Sequence, residues 1–275
     1  HVTFSQKGVT LLVLLFLCTF FRVNAQVARL YTSEDGLKTN YCSSVDVDSR
    51  GFVWISGLNT PGLFDGARFQ YLQIVNSGGH PLFQYAYGVK EVDEENYGVA
   101  TSQGLYILNA RSMDFHRVYL REEEDSVYGY AVNAITDYPQ KDRLLITTDG
   151  FGTYVVNTST MEVDRELSDR IGREIDNVFV SKPVVDRKMR LWFTTTKKVL
   201  MCIDLNDIKT CDFDVTPAAQ AILDISTVTE LLETEKGILI GTNNGLLMYD
   251  EEENVVHEFP IPSSHLCIRS LLRTT

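Results

Sequence analysis

The side chains able to do chemistry in this 275-residue sequence are widely scattered. His80, His116, His257 and His265 are scattered through different units, and no CxxC pair or Cys/His cluster offers metal-ligand spacing. No serine sits in a G-x-S-x-G elbow, and neither an H-E-x-x-H helix motif nor a phosphate-binding P-loop occurs. The run Arg121-Glu122-Glu123-Glu124-Asp125 concentrates charge. It lacks the spaced Asp/Asn/Gly pattern of a calcium loop and reads as a solvated connection. Scattered residues can still converge in space, so this removes positive support for catalysis without excluding it. We assign no catalytic residue, no metal and no cofactor to this segment.

Side chains suited to binding are easier to find. Five short loops recur at regular spacing: Leu58-Asn59-Thr60-Pro61, Ser102-Gln103, Asp149-Gly150-Phe151, Thr196-Lys197-Lys198 and Asn243-Asn244. Their Asn59, Thr60, Gln103, Asp149, Phe151, Lys197, Asn243 and Asn244 are the candidate ligand-binding residues, since amides, carboxylates and ammonium groups hydrogen-bond hydroxyls. The competing reading is turn chemistry, which uses the same Asn-Gly and Asp-Gly pairs. Trp54 and Trp192 present faces that could stack on sugars. Their slots hold Gly98, Leu145 and Leu239 elsewhere in the chain, so we assign both a structural, core-packing role. Cys202 and Cys211 lie symmetrically about Leu205-Asn206-Asp207-Ile208. They read either as a cross-strand disulfide in an oxidising compartment or as two small apolar residues on adjacent strands.

These residues sit on a repeat. One strand pattern reads Val53-Trp54-Ile55-Ser56-Gly57, then Tyr97-Gly98-Val99-Ala100-Thr101, Leu144-Leu145-Ile146-Thr147-Thr148, Leu191-Trp192-Phe193-Thr194-Thr195 and Ile238-Leu239-Ile240-Gly241-Thr242. Its closing residues fall about 44 to 47 positions apart, the period of a four-stranded propeller blade. A second pattern follows each, from Gly62-Leu63-Phe64-Asp65 to Gly245-Leu246-Leu247-Met248-Tyr249-Asp250, and ends in a turn-forming Asp or Asn. A further strand and a charged turn precede each unit, and another β-prone run closes it. No long amphipathic helical pattern competes. The expected fold is all-β: a β-propeller of four-stranded antiparallel blades, with about five full blades and an incomplete ring. The blades are expected at roughly 40–72, 85–120, 130–167, 176–215 and 226–261, with a sixth beginning at 266. Ala28–Tyr31 is expected to be an early strand that pairs with a last blade.

The N-terminus has another character. Lys7 precedes an apolar run from Val9 to Phe21, and Val23-Asn24-Ala25 follows, the anatomy of a secretory signal. Residues 1–25 are read as a signal peptide or signal anchor. The run is short for a membrane span, which needs about 20 apolar residues. Its removal takes away Lys7 and Arg22 and no acid, so the remainder is more acidic than the whole chain's formal charge of −12. Such a balance argues against nucleic-acid binding.

Two stretches carry a family resemblance. Glu34-Asp35-Gly36-Leu37, Asn40 and Asp48-Ser49-Arg50-Gly51-Phe52-Val53-Trp54-Ile55 form one. Lys236-Gly237-Ile238-Leu239-Ile240-Gly241-Thr242-Asn243-Asn244-Gly245-Leu246 forms the other. They resemble the two-component regulator propeller repeat of Bacteroidetes hybrid two-component sensors. The resemblance spans residues 30–275. The middle units depart from it, with Gly98 and Leu145 in a slot usually filled by Trp and Met189 in one usually filled by Gly. Asp48 to Trp54 is also similar to the sialidase Asp-box turn, though one residue longer and structural in either case. The resemblance implies a periplasmic sensor region of an inner-membrane receptor, joined by a membrane helix to a histidine kinase. It implies an oligosaccharide ligand, control of glycan-utilisation genes and a homodimer formed through the full-length receptor. The alternatives are a secreted propeller glycoside hydrolase or polysaccharide lyase, and a protein-interaction scaffold.

Overall fold

Each repeat folds into one antiparallel sheet whose strands follow chain order. The computed structural model describes residues 29–38, 41–58, 61–122, 129–138, 140, 142–175, 180–195, 200–261, 267–268 and 271. The signal segment lies outside them. Blade one holds β1 (Cys42–Val47), β2 (Val53–Gly57), β3 (Gly62–Phe64) and β4 (Phe69–Tyr71). Blade two holds β5 (Ala86–Glu91), β6 (Asn96–Thr101), β7 (Gly104–Asn109) and β8 (Phe115–Val118). Blade three holds β9 (Val132–Asp137), β10 (Arg143–Thr148), β11 (Thr153–Asn157) and β12 (Glu162–Val163). Blade four holds β13 (Val180–Val185), β14 (Arg190–Thr195), β15 (Met201–Asp204) and β16 (Lys209–Thr210). Blade five holds β18 (Val228–Glu233), β19 (Gly237–Thr242), β20 (Gly245–Asp250) and β21 (Val255–Glu258), with β17 (Asp214–Val215) added in parallel at its outer edge. The first strands touch in series, β1 to β5 to β9 to β13 to β18, as the inner strands of a propeller do.

Side-chain alternation explains why the middle strands read as nearly continuous apolar runs. Successive residues point to opposite faces, and each inner blade is covered on both. Leu144 and Ile146 of β10 pack with Ile107 and Val118 of blade two. Leu145, between them, packs with Leu191 and Phe193 of blade four. Trp54 joins Tyr97 and Val99 between blades one and two, and Trp192 joins Ile238 and Tyr249 between blades four and five. Val45 and Val47 of β1, in contrast, are exposed. Beyond blade five, the Ile268 N–H donates to Thr242 O at 2.8 Å and Thr229 Oγ1 donates to Ile268 O at 2.6 Å.

Two departures from the sequence reading stand out. Helix α1 (Arg165–Ile175) follows β12, the short outer strand of blade three, and α2 (Pro217–Ile225) follows β17 at the edge of blade five. Each buries an apolar stripe in the adjoining inter-blade core: Ile171 and Ile175 from α1, Ala219 and Leu223 from α2. Their start signals are ordinary. Asp164 Oδ1 accepts the Leu167 N–H at 3.1 Å, and Thr216 Oγ1 accepts the Ala219 N–H at 3.3 Å ahead of Pro217. Arg29–Tyr31 forms no strand; Ala28 lies outside the described residues. That segment belongs to a separate small unit ending at Leu37, in which Thr32 and Asp35 cap a 3₁₀ turn closed by Gly36 at φ 97°.

Candidate ligand-binding face

The antiparallel order brings the start of each first strand beside the end of each second: Cys42 with Gly57, Ala86 with Thr101, Val132 with Thr148, Val228 with Thr242. The loops between second and third strands therefore gather on the same side as the chain entering each blade.

Those loops are held by one device used three times. A fully buried threonine donates its hydroxyl to a glycine carbonyl across the loop: Thr101 to Gly104 at 2.7 Å, Thr148 to Gly152 at 2.6 Å and Thr242 to Gly245 at 2.9 Å. Each hydroxyl also accepts a loop N–H, from Gln103, Phe151 or Asn244, at 3.1 Å. A second loop N–H donates to the carbonyl just ahead of the blade's own first strand: Ser102 to Tyr85, Asp149 to Ala131 and Asn243 to Thr227. These bonds satisfy backbone groups that would otherwise be stranded near the core.

The sequence-derived candidates divide on this frame. Asn59, Thr60 and Lys197 lie outside the described residues. Asn243 accepts the Thr227 N–H at 2.8 Å, and Asn244 donates to Ile225 O and Ser226 Oγ at the C-terminal end of α2. Both amides are engaged in local structure. Gln103 is half-buried, and Asp149 presents an exposed carboxylate. Phe151 is 45% exposed and stacks on Tyr130 with centroids 4.2 Å apart.

Sequence reasoning missed the tyrosines beside them. Tyr41 and Tyr85 immediately precede the first strands of blades one and two, Tyr87 lies within β5, and Tyr130 leads into β9. Tyr41 meets Tyr85 edge-on at 6.1 Å, and Tyr85 lies nearly parallel to Tyr87 at 6.3 Å. Burial pushes the Tyr87 hydroxyl's pKa up, and nearby Tyr41, Asp149 and Tyr85 add to the rise, so these four residues share one neighbourhood. The Arg121 guanidinium lies over Tyr130 at 5.9 Å and donates Nε–H to the Tyr154 hydroxyl at 2.7 Å. The available signal was a tyrosine at the mouth of three successive units: Asn40-Tyr41, Gln84-Tyr85 and Gly129-Tyr130.

The opposite end is occupied by structural clamps. Asp48 Oδ1 accepts the N–H groups of Arg50 and Phe52 at 3.0 and 2.9 Å. Its Oδ2 accepts from Trp54 Nε1 at 3.3 Å, from the Tyr97 hydroxyl at 3.0 Å and from Arg50 at 3.1 Å. Burial opposes the charge, but these donors outweigh it and hold Asp48 below the ordinary carboxylate range. Tyr97 is pushed up to about 12 by burial and by its bond to Asp48. Blade four repeats the motif: Asp186 Oδ2 accepts from Trp192 Nε1 at 2.9 Å and from Arg190 at 2.7 Å, and Arg190 donates to the Tyr249 hydroxyl at 3.0 Å. The aromatic partner has changed strand. Tyr97 of β6 faces Leu108 of β7, whereas Ile238 of β19 faces Tyr249 of β20. Trp54 and Trp192 are both almost fully buried, and neither offers a face to a ligand.

No group of metal-binding side chains occurs among the described residues, and none of their helices is long and apolar enough to cross a membrane. No family model and no curated protein matches the sequence. Solved structures do. The extracellular domain of hybrid two-component system BT3049 from B. thetaiotaomicron superimposes with a TM-score of 0.66 at 20% identity, over 83% of this chain and 31% of that one. The extracellular domain of BT4673 from the same organism, described as a one-component system, gives 0.62 at 18% identity, over 84% of this chain and 29% of that one. A further structure of BT4673, described as a hybrid two-component system, gives 0.60 at 17%, over 79% and 27%. The chain thus spans about three tenths of the length of each. In fold, this chain is a β-propeller like the extracellular domains of these B. thetaiotaomicron systems.

Proposed function

We propose that this chain is part of the extracytoplasmic, ligand-sensing region of a two-component receptor. Its ligand is an oligosaccharide held on the face formed by Tyr41, Tyr85, Tyr87 and Phe151. The observation that carries the reading is the cluster of Tyr41, Tyr85 and Tyr87 at the start of the first strands of blades one and two, with the exposed Phe151 and Asp149 on the blade-three loop at the same end of the strands. Aromatic faces cover the apolar C–H faces of sugars, and a carboxylate accepts from their hydroxyls. The likeness to extracellular domains of signalling systems supports placing the chain outside the cytoplasm. In this reading the longer receptor supplies the membrane helix, the kinase and the dimer, and this segment binds without turnover.

A panel of neutral and acidic oligosaccharides incubated with the purified chain tests both halves. The expected result is calorimetric binding by at least one glycan that is recovered intact. New reducing ends would establish a hydrolase, and unsaturated products a lyase; either would overturn the sensor reading.

A further inference from the structure

The pair Cys202 and Cys211 has no part in that binding face, and its placement is specific. Strands β15 and β16 pair Ile203 with Thr210 and Asp204 with Lys209. One step further along the register sets Cys202 opposite Cys211, and the Cys211 N–H donates to Cys202 O at 2.8 Å. Residues paired this way hold their Cα atoms about 5.5 Å apart, within the span of a disulfide. Both thiols are free. Cys202 is fully buried, while Cys211 is half-buried and reachable.

The surroundings give the pair a task. Directly after Cys211 the chain crosses from blade four to blade five. Phe213 packs on Trp192 at 5.2 Å, Asp214–Val215 joins the edge of blade five as β17, and α2 follows. Cys202, Cys211, Phe213 and Val215 all belong to the core between those blades.

We infer that Cys202 and Cys211 form an intramolecular disulfide that fastens this strap between blades four and five. The oxidant is a small-molecule or protein disulfide, such as oxidised glutathione. Cys211 loses its proton and attacks one sulfur of that disulfide, releasing one thiol and leaving a mixed disulfide. Cys202 then loses its proton and attacks the Cys211 sulfur, releasing the second thiol. Two protein thiols give up two protons and two electrons, and the oxidant's S–S bond takes up both. Burial raises the pKa of both thiols, which slows the exchange at neutral pH without changing its end point. The inference rests on the proposed extracytoplasmic location only for where oxidation happens in the cell; the chemistry is tested apart from it.

The test treats the purified full chain with excess oxidised glutathione, blocks the remaining thiols and digests with trypsin, which cuts after Lys209 between the two cysteines. The expected product is a pair of peptides joined through Cys202 and Cys211, about 2 Da lighter than their sum, with Cys18, Cys42 and Cys267 blocked. Reductant then lowers the melting temperature of the oxidised chain and leaves Cys211→Ser unchanged. Recovery of Cys202 and Cys211 as blocked thiols or as separate glutathione adducts overturns the proposal, as does pairing of either with Cys18, Cys42 or Cys267. Failure to bind any glycan bears on the sensing proposal and leaves these results untouched.

Discussion

Replacing Asp48 with alanine should loosen the contact between blades one and two. The carboxylate side chain is fully buried and accepts five hydrogen bonds. Alanine leaves Trp54 Nε1 and the Tyr97 hydroxyl without that acceptor inside the core, where both residues are under 3% exposed. Each orphaned buried donor costs about 1–3 kcal/mol. Relief of the buried charge offsets part of that, and the Arg50 contribution is small because its side chain is 42% exposed. The net loss is about 2–4 kcal/mol. At about 2–4 °C per kcal/mol for a domain of this size, the melting temperature should fall by roughly 5–15 °C. Circular dichroism melts at neutral pH measure it, with Asp48→Asn falling less because it keeps one acceptor. The depressed Asp48 pKa fixes the pH dependence: its stabilisation is full above the ordinary carboxylate range and is lost as pH falls through the folded value, so wild type and Asp48→Ala should converge in acid. A variant melting within about 2 °C of wild type at neutral pH would refute the clamp, since a shift that small is under 1 kcal/mol.

Glu251 should make the contact between blades four and five sensitive to acid. It binds Arg187, Lys188 and Arg190, and those bonds outweigh burial to hold its pKa at about 2, against an ordinary 4.5. Its contribution is complete above pH 4.5 and is lost as pH falls toward 2, so Glu251→Gln should melt earlier at neutral pH and show a smaller drop over that window in pH-dependent melts. Gly237 has φ 146°, and a Cβ there would stand 2.0 Å from the Tyr249 carbonyl oxygen, which is backbone and cannot yield. Gly237→Ala should cost about 3 kcal/mol or more in urea unfolding, while Gly88→Ala, whose Cβ meets only Ser44 Oγ at 3.9 Å, should fall within about 1 kcal/mol of wild type.

The blades were legible because their signal is local and repeated. A buried strand bounded by a threonine and a glycine turn recurs at a fixed interval, and three of those threonines prove to be loop clamps. The two Asp-to-Trp spacings of six residues, at Asp48–Trp54 and Asp186–Trp192, were also visible, though not the bond that joins each pair. The helices escaped because each is short and follows a strand of only two residues, so the period changes abruptly from 2 to 3.6. The movement of the clamp tyrosine from β6 to β20 needs the strand register, which no single strand encodes. Asn243 and Asn244 attracted attention as polar loop residues, yet their amides fix the turn beside α2. Tyr41, Tyr85 and Tyr130 look like core aromatics in sequence. Only the pairing of first and second strands brings them to the same rim as Asp149 and Phe151.

The most direct test of the sensing account is the affinity of the best-binding oligosaccharide for the wild-type chain and for Tyr85→Ala, Asp149→Ala and Asn244→Ala, measured by calorimetry. The account predicts a loss of about tenfold or more for Tyr85→Ala and Asp149→Ala, equivalent to at least about 1.4 kcal/mol, with Asn244→Ala close to wild type. Unchanged binding by Tyr85→Ala and Asp149→Ala would contradict it and move the site off this face.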